Sequence, residues 1–121
     1  MSVETASLGR VTIAPQVLTT IVRQTALSTE GVLQLNARLP HRSWSSGRRA
    51  LAPGIEVVVD DGQVRASVHV VADPATNMMR LAETLQTEVA RAIEHIVGLQ
   101  VANVDVHIEN VSFRGSGAVQ R

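Results

Sequence analysis

The spacing of apolar residues changes several times along the chain, and each change marks an element. From Gly9 to Ile13 the residues alternate, with Val11 and Ile13 on one side, which predicts a short strand. Pro15 then stands where the first turn of a helix accepts it, and Val17, Leu18, Ile21 and Val22 recur at helical spacing toward Ser28. Gly31 suits the break that follows, and Val32, Leu33 and Leu35 predict a second short strand. Over residues 75–97, Met78, Ala82, Leu85, Val89, Ile93 and Ile96 recur at steps of three or four, so a long helix has one apolar face. Asp73 or Thr76 is placed to cap it, and Gly98-Leu99 to end it. Val104, Val106 and Ile108 then recur at steps of two, as in a strand with one buried face. Leu99 and Val101 have the opposite parity, so a bulge or bend is expected near Ala102-Asn103.

The middle of the chain fixes its own register. Asp61-Gly62 is a strong two-residue turn signal and would pair Asp60 with Gln63 and Val59 with Val64. Counting outward sets Val57 opposite Ala66 and Ile55 opposite Val68. The apolar members then share one face, while Glu56, Arg65, Ser67 and His69 share the other, which is expected to be solvated. A slip of one residue would set apolar against polar, so turn and pattern agree.

These elements predict an α+β fold, a two-layer sandwich in the order β-α-β-β-β-α-β. Helices at 15–28 and 75–97 cover one face of a mixed sheet centred on the hairpin at 55–71. Residues 1–8 read as a flexible leader, 9–113 as a single domain with a long basic loop at 36–53, and 114–121 as a disordered tail.

Composition narrows the chemistry. The 121 residues suit one domain, and there is no cysteine, which excludes disulfides, thiolate metal sites and thiol catalysis. Positive and negative charges balance at 11 against 11, so no overall field steers the chain toward nucleic acid. No apolar run reaches the about 18 residues of a spanning helix. The first residues lack the basic and apolar regions of a secretory signal, so the expected location is the cytoplasm. Trp44 and Phe113 are the only aromatics, too few for a base-stacking platform.

The loop at 36–53 gathers Arg38, His41, Arg42, Trp44, Arg48 and Arg49 without an acid, and these are the candidate interaction residues. Such a segment suits an anionic or acidic partner, or it is an ordinary surface loop kept irregular by Pro40, Ser43, Ser45, Ser46, Gly47 and Pro53. Strand parity sets His69 and His107 on the outward face with Asp105 and Glu109 beside His107. A metal site there requires the two strands to be neighbours, and exposed strand histidines are ordinary, so no metal or cofactor is assigned. His95, in the last turn of the long helix, reads as a helix-end residue. Asp60-Asp61 is explained by the turn, and Ser116 has no helix after it to make a nucleophile elbow. No phosphate-binding glycine loop is present and no catalytic constellation emerges.

Three blocks carry a resemblance. Gly9-Arg10-Val11-Thr12-Ile13-Ala14-Pro15-Gln16-Val17 is followed by Ala26 and Glu30-Gly31-Val32. Gly54-Ile55-Glu56-Val57 leads into the Asp61-Gly62 hairpin. Leu85-Gln86-Thr87-Glu88-Val89, Ile93-Glu94 and Val97-Gly98-Leu99-Gln100-Val101 lead to Val104-Asp105-Val106-His107-Ile108. In order and spacing these resemble the alkaline-shock-protein, or envelope-stress-response, family of Gram-positive and related bacteria. The resemblance implies a small non-enzymatic cytoplasmic scaffold or adaptor for cell-envelope stress and homeostasis, peripheral to the membrane through a protein partner that is membrane-anchored. It implies no catalytic residue and no small-molecule substrate, and a homo-oligomer is expected beside it. The alternative is a nucleic-acid binder using the arginines of the 36–53 loop, with affinity that falls steeply with salt.

Overall fold

The structure, a computed structural model, describes residues 2–5, 8–36 and 47–111. The elements run β1 (Ser2–Thr5), β2 (Gly9–Thr12), α1 (Pro15–Ser28), β3 (Val32–Leu35), β4 (Arg48–Ala52), β5 (Ile55–Asp60), β6 (Gln63–Ala72), α2 (Met78–Ile96) and β7 (Gln100–Val111). The expected α+β class is the observed one. A five-stranded mixed sheet carries both helices on one face, and its parallel member is the β6–β7 pair.

The Asp61-Gly62 hairpin has the register read from the sequence, from Asp60↔Gln63 out to Ile55↔Val68. Asp61 and Gly62 both have positive φ, 54° and 76°, the condition for the primed turn that matches the twist of its strands. Ile55, Val57, Val59, Val64, Ala66, Val68, Val70, Ala72 and Val104 face the helices. Against them α1 sets Leu18, Val22 and Ala26, and α2 sets Leu81, Leu85, Val89 and Ile93, residues one helical turn apart on each helix. Ile96, expected on this seam, is 65% exposed, because the seam runs at steps of four and ends with Ile93. The helix begins later than expected. Asn77 is its cap, accepting from the Arg80 amide at 3.0 Å, while Asp73 closes the preceding turn through the Ala75 amide. The far end closes as expected, with Gly98 at φ 86° and its amide on the Glu94 carbonyl at 3.0 Å.

Two strands appear where irregular chain was expected. Ser2–Thr5, within the expected leader, pairs antiparallel with β2 from Ser2↔Thr12 to Thr5↔Gly9, so β2 belongs to a separate two-stranded sheet. The last part of the expected 36–53 loop is β4, paired with β5 from Arg48↔Val59 to Ala52↔Ile55 around a Pro53-Gly54 turn. Its core-facing residues are Ala50 and Ala52, too small to show a hydrophobic period. Residues 37–46 and the expected tail at 114–121 lie outside the described residues.

Strand β6 is the centre. On one side it pairs with β7 along its whole length, and on the other with β5 and then β3. Where β5 gives way to β3, the His69 amide donates to the Gly54 carbonyl at 2.9 Å and the His69 carbonyl accepts from the Asn36 amide at 2.8 Å. The bulge expected near Ala102 is present, since Val64↔Val101 is followed by Arg65↔Asn103. A second shift was not expected: Val70↔Ile108 is followed by Val71↔Asn110, which makes Glu109 the inserted residue.

Gly54 has φ 78°, and a Cβ there would stand 2.6 Å from the Asn36 carbonyl oxygen. Gly54→Ala is therefore expected to lower stability by about 1–3 kcal/mol in chemical denaturation. Gly62→Ala, with nothing within 4 Å of its Cβ, carries only the backbone strain and should cost less. Equal losses in the two variants would mean that the junction yields to the added methyl.

Candidate functional site

The sheet face away from the helices was expected to be solvated, and its centre is not. Glu56 and Val58 are 0% exposed, Ser67 2%, His69 7% and Val71 5%. Burial obliges the polar members to find partners, because an unpaired buried polar group loses its hydration without replacement. Two clusters result.

The first joins β4 to β5. Arg49 Nε lies 2.8 Å from Glu56 Oε2, and the guanidinium is mostly covered. Arg49 Nη2 and Glu56 Oε1 are buried without a hydrogen-bond partner among the described residues, so the pair meets one contact of the two that a bidentate fork would make.

The second joins β6 to β7. Register partners His69 and His107 stack their rings, with centroids 4.4 Å apart and planes 9° apart. His69 Nδ1 lies 2.8 Å from Glu109 Oε2, and Glu109 Oε1 accepts from the Asn36 amide group at 3.2 Å. The second bulge of β7 sets Glu109 beside the pair. One donor atom from each of His69, His107 and Glu109 lies within 4.8 Å of the others. The parallel neighbouring strands that a cluster at these histidines requires are therefore present. His69 is buried rather than solvated, whereas His107 and Glu109 are exposed.

The candidate interaction residues divide. Arg38, His41, Arg42 and Trp44 lie outside the described residues. Arg48 is exposed at the start of β4, whereas Arg49 is tied to Glu56 and is not presented to an outside phosphate. Sequence parity put Glu56 and His69 on the right face and missed their burial. Nothing in the alternation announces that β4 will add a strand beside β5.

The sequence profile of the alkaline shock protein 23 family, whose described function is cell envelope-related, matches residues 3–113. The chain belongs to this family. No curated protein matches it. Among solved structures, the zinc form of a MamM CTD variant is 14% identical, with a TM-score of 0.50 over 83% of this chain and 88% of that one. The manganese form of another MamM CTD variant is 12% identical, with a TM-score of 0.45 over 82% of this chain and 98% of that one. At such identity the first of these likenesses is one of fold alone.

Removing one partner of a buried ion pair strands the other, at about 3–5 kcal/mol, whereas replacing both by apolar groups is often close to neutral. Arg49→Met is accordingly expected to destabilise by about 3–5 kcal/mol, and the Arg49→Met/Glu56→Leu double variant to recover most of that loss. Additive losses in a double-mutant cycle would show that the two side chains do not act as a pair.

Proposed function

We propose that the protein is a non-enzymatic scaffold or adaptor in cell-envelope stress response and homeostasis, working through protein–protein contact and self-association. In this reading it is cytoplasmic and held at the membrane by a membrane-anchored protein partner. Family membership supports the connection to the envelope. No helix of the described residues is long and apolar enough to cross a membrane.

The observation that carries self-association is the outer edge of β7. Among the described residues this strand pairs with β6 alone. Helix α2 covers the beginning of the edge: Gln86 Nε2 donates to the Val104 carbonyl at 3.1 Å, and Glu94 Oε2 accepts from the Val101 amide at 3.4 Å. The Val104 carbonyl faces outward to Gln86, strand alternation turns the amides and carbonyls of Val106 and Ile108 the same way, and no described residue outside the sheet hydrogen-bonds to them. An open edge of this kind is a template for a second strand, and two copies meeting there form a self-complementary contact.

Proline at an outward-facing edge amide removes a donor without breaking the inner ladder. At high protein concentration, Val106→Pro should therefore lower the association seen by light scattering, while Val106→Ala, which only trims packing, should leave it intact. A wild-type chain that stays monomeric at high concentration would sink self-association. Capture from a cell extract tests the rest, and recovery of soluble metabolic enzymes with no envelope component would sink the scaffold reading.

A further inference from the structure

We infer that His69, His107 and Glu109 form a binding site for one divalent first-row transition-metal ion, of the Zn²⁺, Co²⁺ or Ni²⁺ class. The inference goes beyond the scaffold reading and does not depend on it.

Placement comes first. His69 and His107 are direct partners across adjacent parallel strands, so their side chains rise side by side from one sheet face. Glu109, two residues after His107, adds a carboxylate on that face, and the donor atoms of all three residues lie within 4.8 Å of one another. A tetrahedral site with bonds of about 2.0–2.1 Å needs donors about 3.3 Å apart, so a modest contraction brings the set onto one ion.

The available nitrogens come next. His69 Nδ1 faces Glu109 Oε2 at 2.8 Å, so an ion that replaces the proton between them meets a nitrogen and a carboxylate oxygen together. Among the described residues nothing hydrogen-bonds to His69 Nε2 or to either ring nitrogen of His107. A purely packing role would need Glu109 to satisfy buried His69, and it would not need His107 at all. The stacked second imidazole is the feature that packing leaves unexplained.

The stack also says what must move. A metal ion lies in the plane of each imidazole it binds, and two planes only 9° from parallel share no useful point between the rings. One ring must turn. His107 is exposed and free to swing, while His69 is 7% exposed and clamped by Glu109. To act as the third donor, Glu109 turns a carboxylate oxygen from its contact with His69 Nδ1, now 2.8 Å, onto the ion.

The donor set selects the ion. Two imidazoles and a carboxylate, with no cysteine in the chain, favour borderline divalent ions over soft Cu(I) and over the oxygen-seeking Ca²⁺ and Mg²⁺. Three protein donors leave at least one position for water.

The test uses the purified full chain, stripped of metal and titrated with Zn²⁺ by calorimetry and with Co²⁺ by visible absorption. One ion per chain is expected, together with a rise in Tm on adding Zn²⁺. His107→Ala should weaken binding at least about tenfold and abolish the Zn²⁺-dependent rise, while the metal-free Tm stays near that of the parent. Glu109→Gln should weaken binding as well, and His41→Ala and His95→Ala should not. Long-range ¹H–¹⁵N spectra should show the ring nitrogens of His69 and His107 shifting together with added Zn²⁺. Absence of saturable binding up to millimolar metal would overturn the assignment. So would unchanged affinity in His107→Ala, or a loss that follows His41 or His95 instead.

Discussion

Strand β6 is hydrogen-bonded along both edges and buried on both faces, and most of the architecture answers to that enclosure. Its partnership with β7 is parallel, and a parallel pair cannot be joined by a tight turn. The chain must leave the sheet, cross one face and return, and α2 is that crossing. Once there, its four-residue seam of Leu81, Leu85, Val89 and Ile93 closes the core over Val64, Ala66, Val68 and Val70. The opposite face of β6 has no helix on it among the described residues, yet Ser67 and His69 are buried there. Their polar atoms need protein partners, and the neighbouring strands are the nearest source. The Glu109 bulge supplies one of these partners.

How much of this was legible in the sequence depends on what each residue reports. The Asp61-Gly62 turn and the parity of Ile55 through Val68 determine a register locally, so that hairpin could be read residue by residue. The parity change between Val101 and Val104 is equally local, and the bulge at Ala102 follows from it. The candidate site was half legible: parity put His69, His107 and Glu109 on one face, but only non-local pairing decides whether β6 and β7 touch. Periodicity also says which residues share a face, not whether anything covers that face, which is why buried Glu56 read as solvated. Strand β4 was hidden for a different reason. Its inward residues are Ala50 and Ala52, and a basic, alanine-rich strand has almost no hydrophobic amplitude. Pro53-Gly54 was the available signal, a turn dipeptide directly before a clear strand.

The Arg49–Glu56 pair is better understood as a register device than as a source of stability. A buried ion pair gains little over apolar residues of the same volume, because both ions lose hydration. It discriminates strongly, however. Sliding β4 by one residue against β5 would turn Arg49 to the core face beside Ile55 and Val57 and leave Glu56 buried alone. Two unpaired buried charges would then oppose the slip, which alanine side chains on the core face could not prevent by themselves.

The same economy of contacts bears on the proposed scaffold. Bulges at Ala102 and Glu109 twist both ends of β7, and Gln86 covers Val104, so the flat open edge is confined to the stretch around Val106 and Ile108. A contact that short contributes only a few hydrogen bonds, each about 1 kcal/mol net in water. That is too little to hold two dilute copies together, and it guards against uncontrolled strand addition. Held side by side by a common anchor, the same copies would meet at a far higher effective concentration, and the short edge would suffice. Self-association that depends on being gathered at the envelope is therefore the form of assembly this edge suits best.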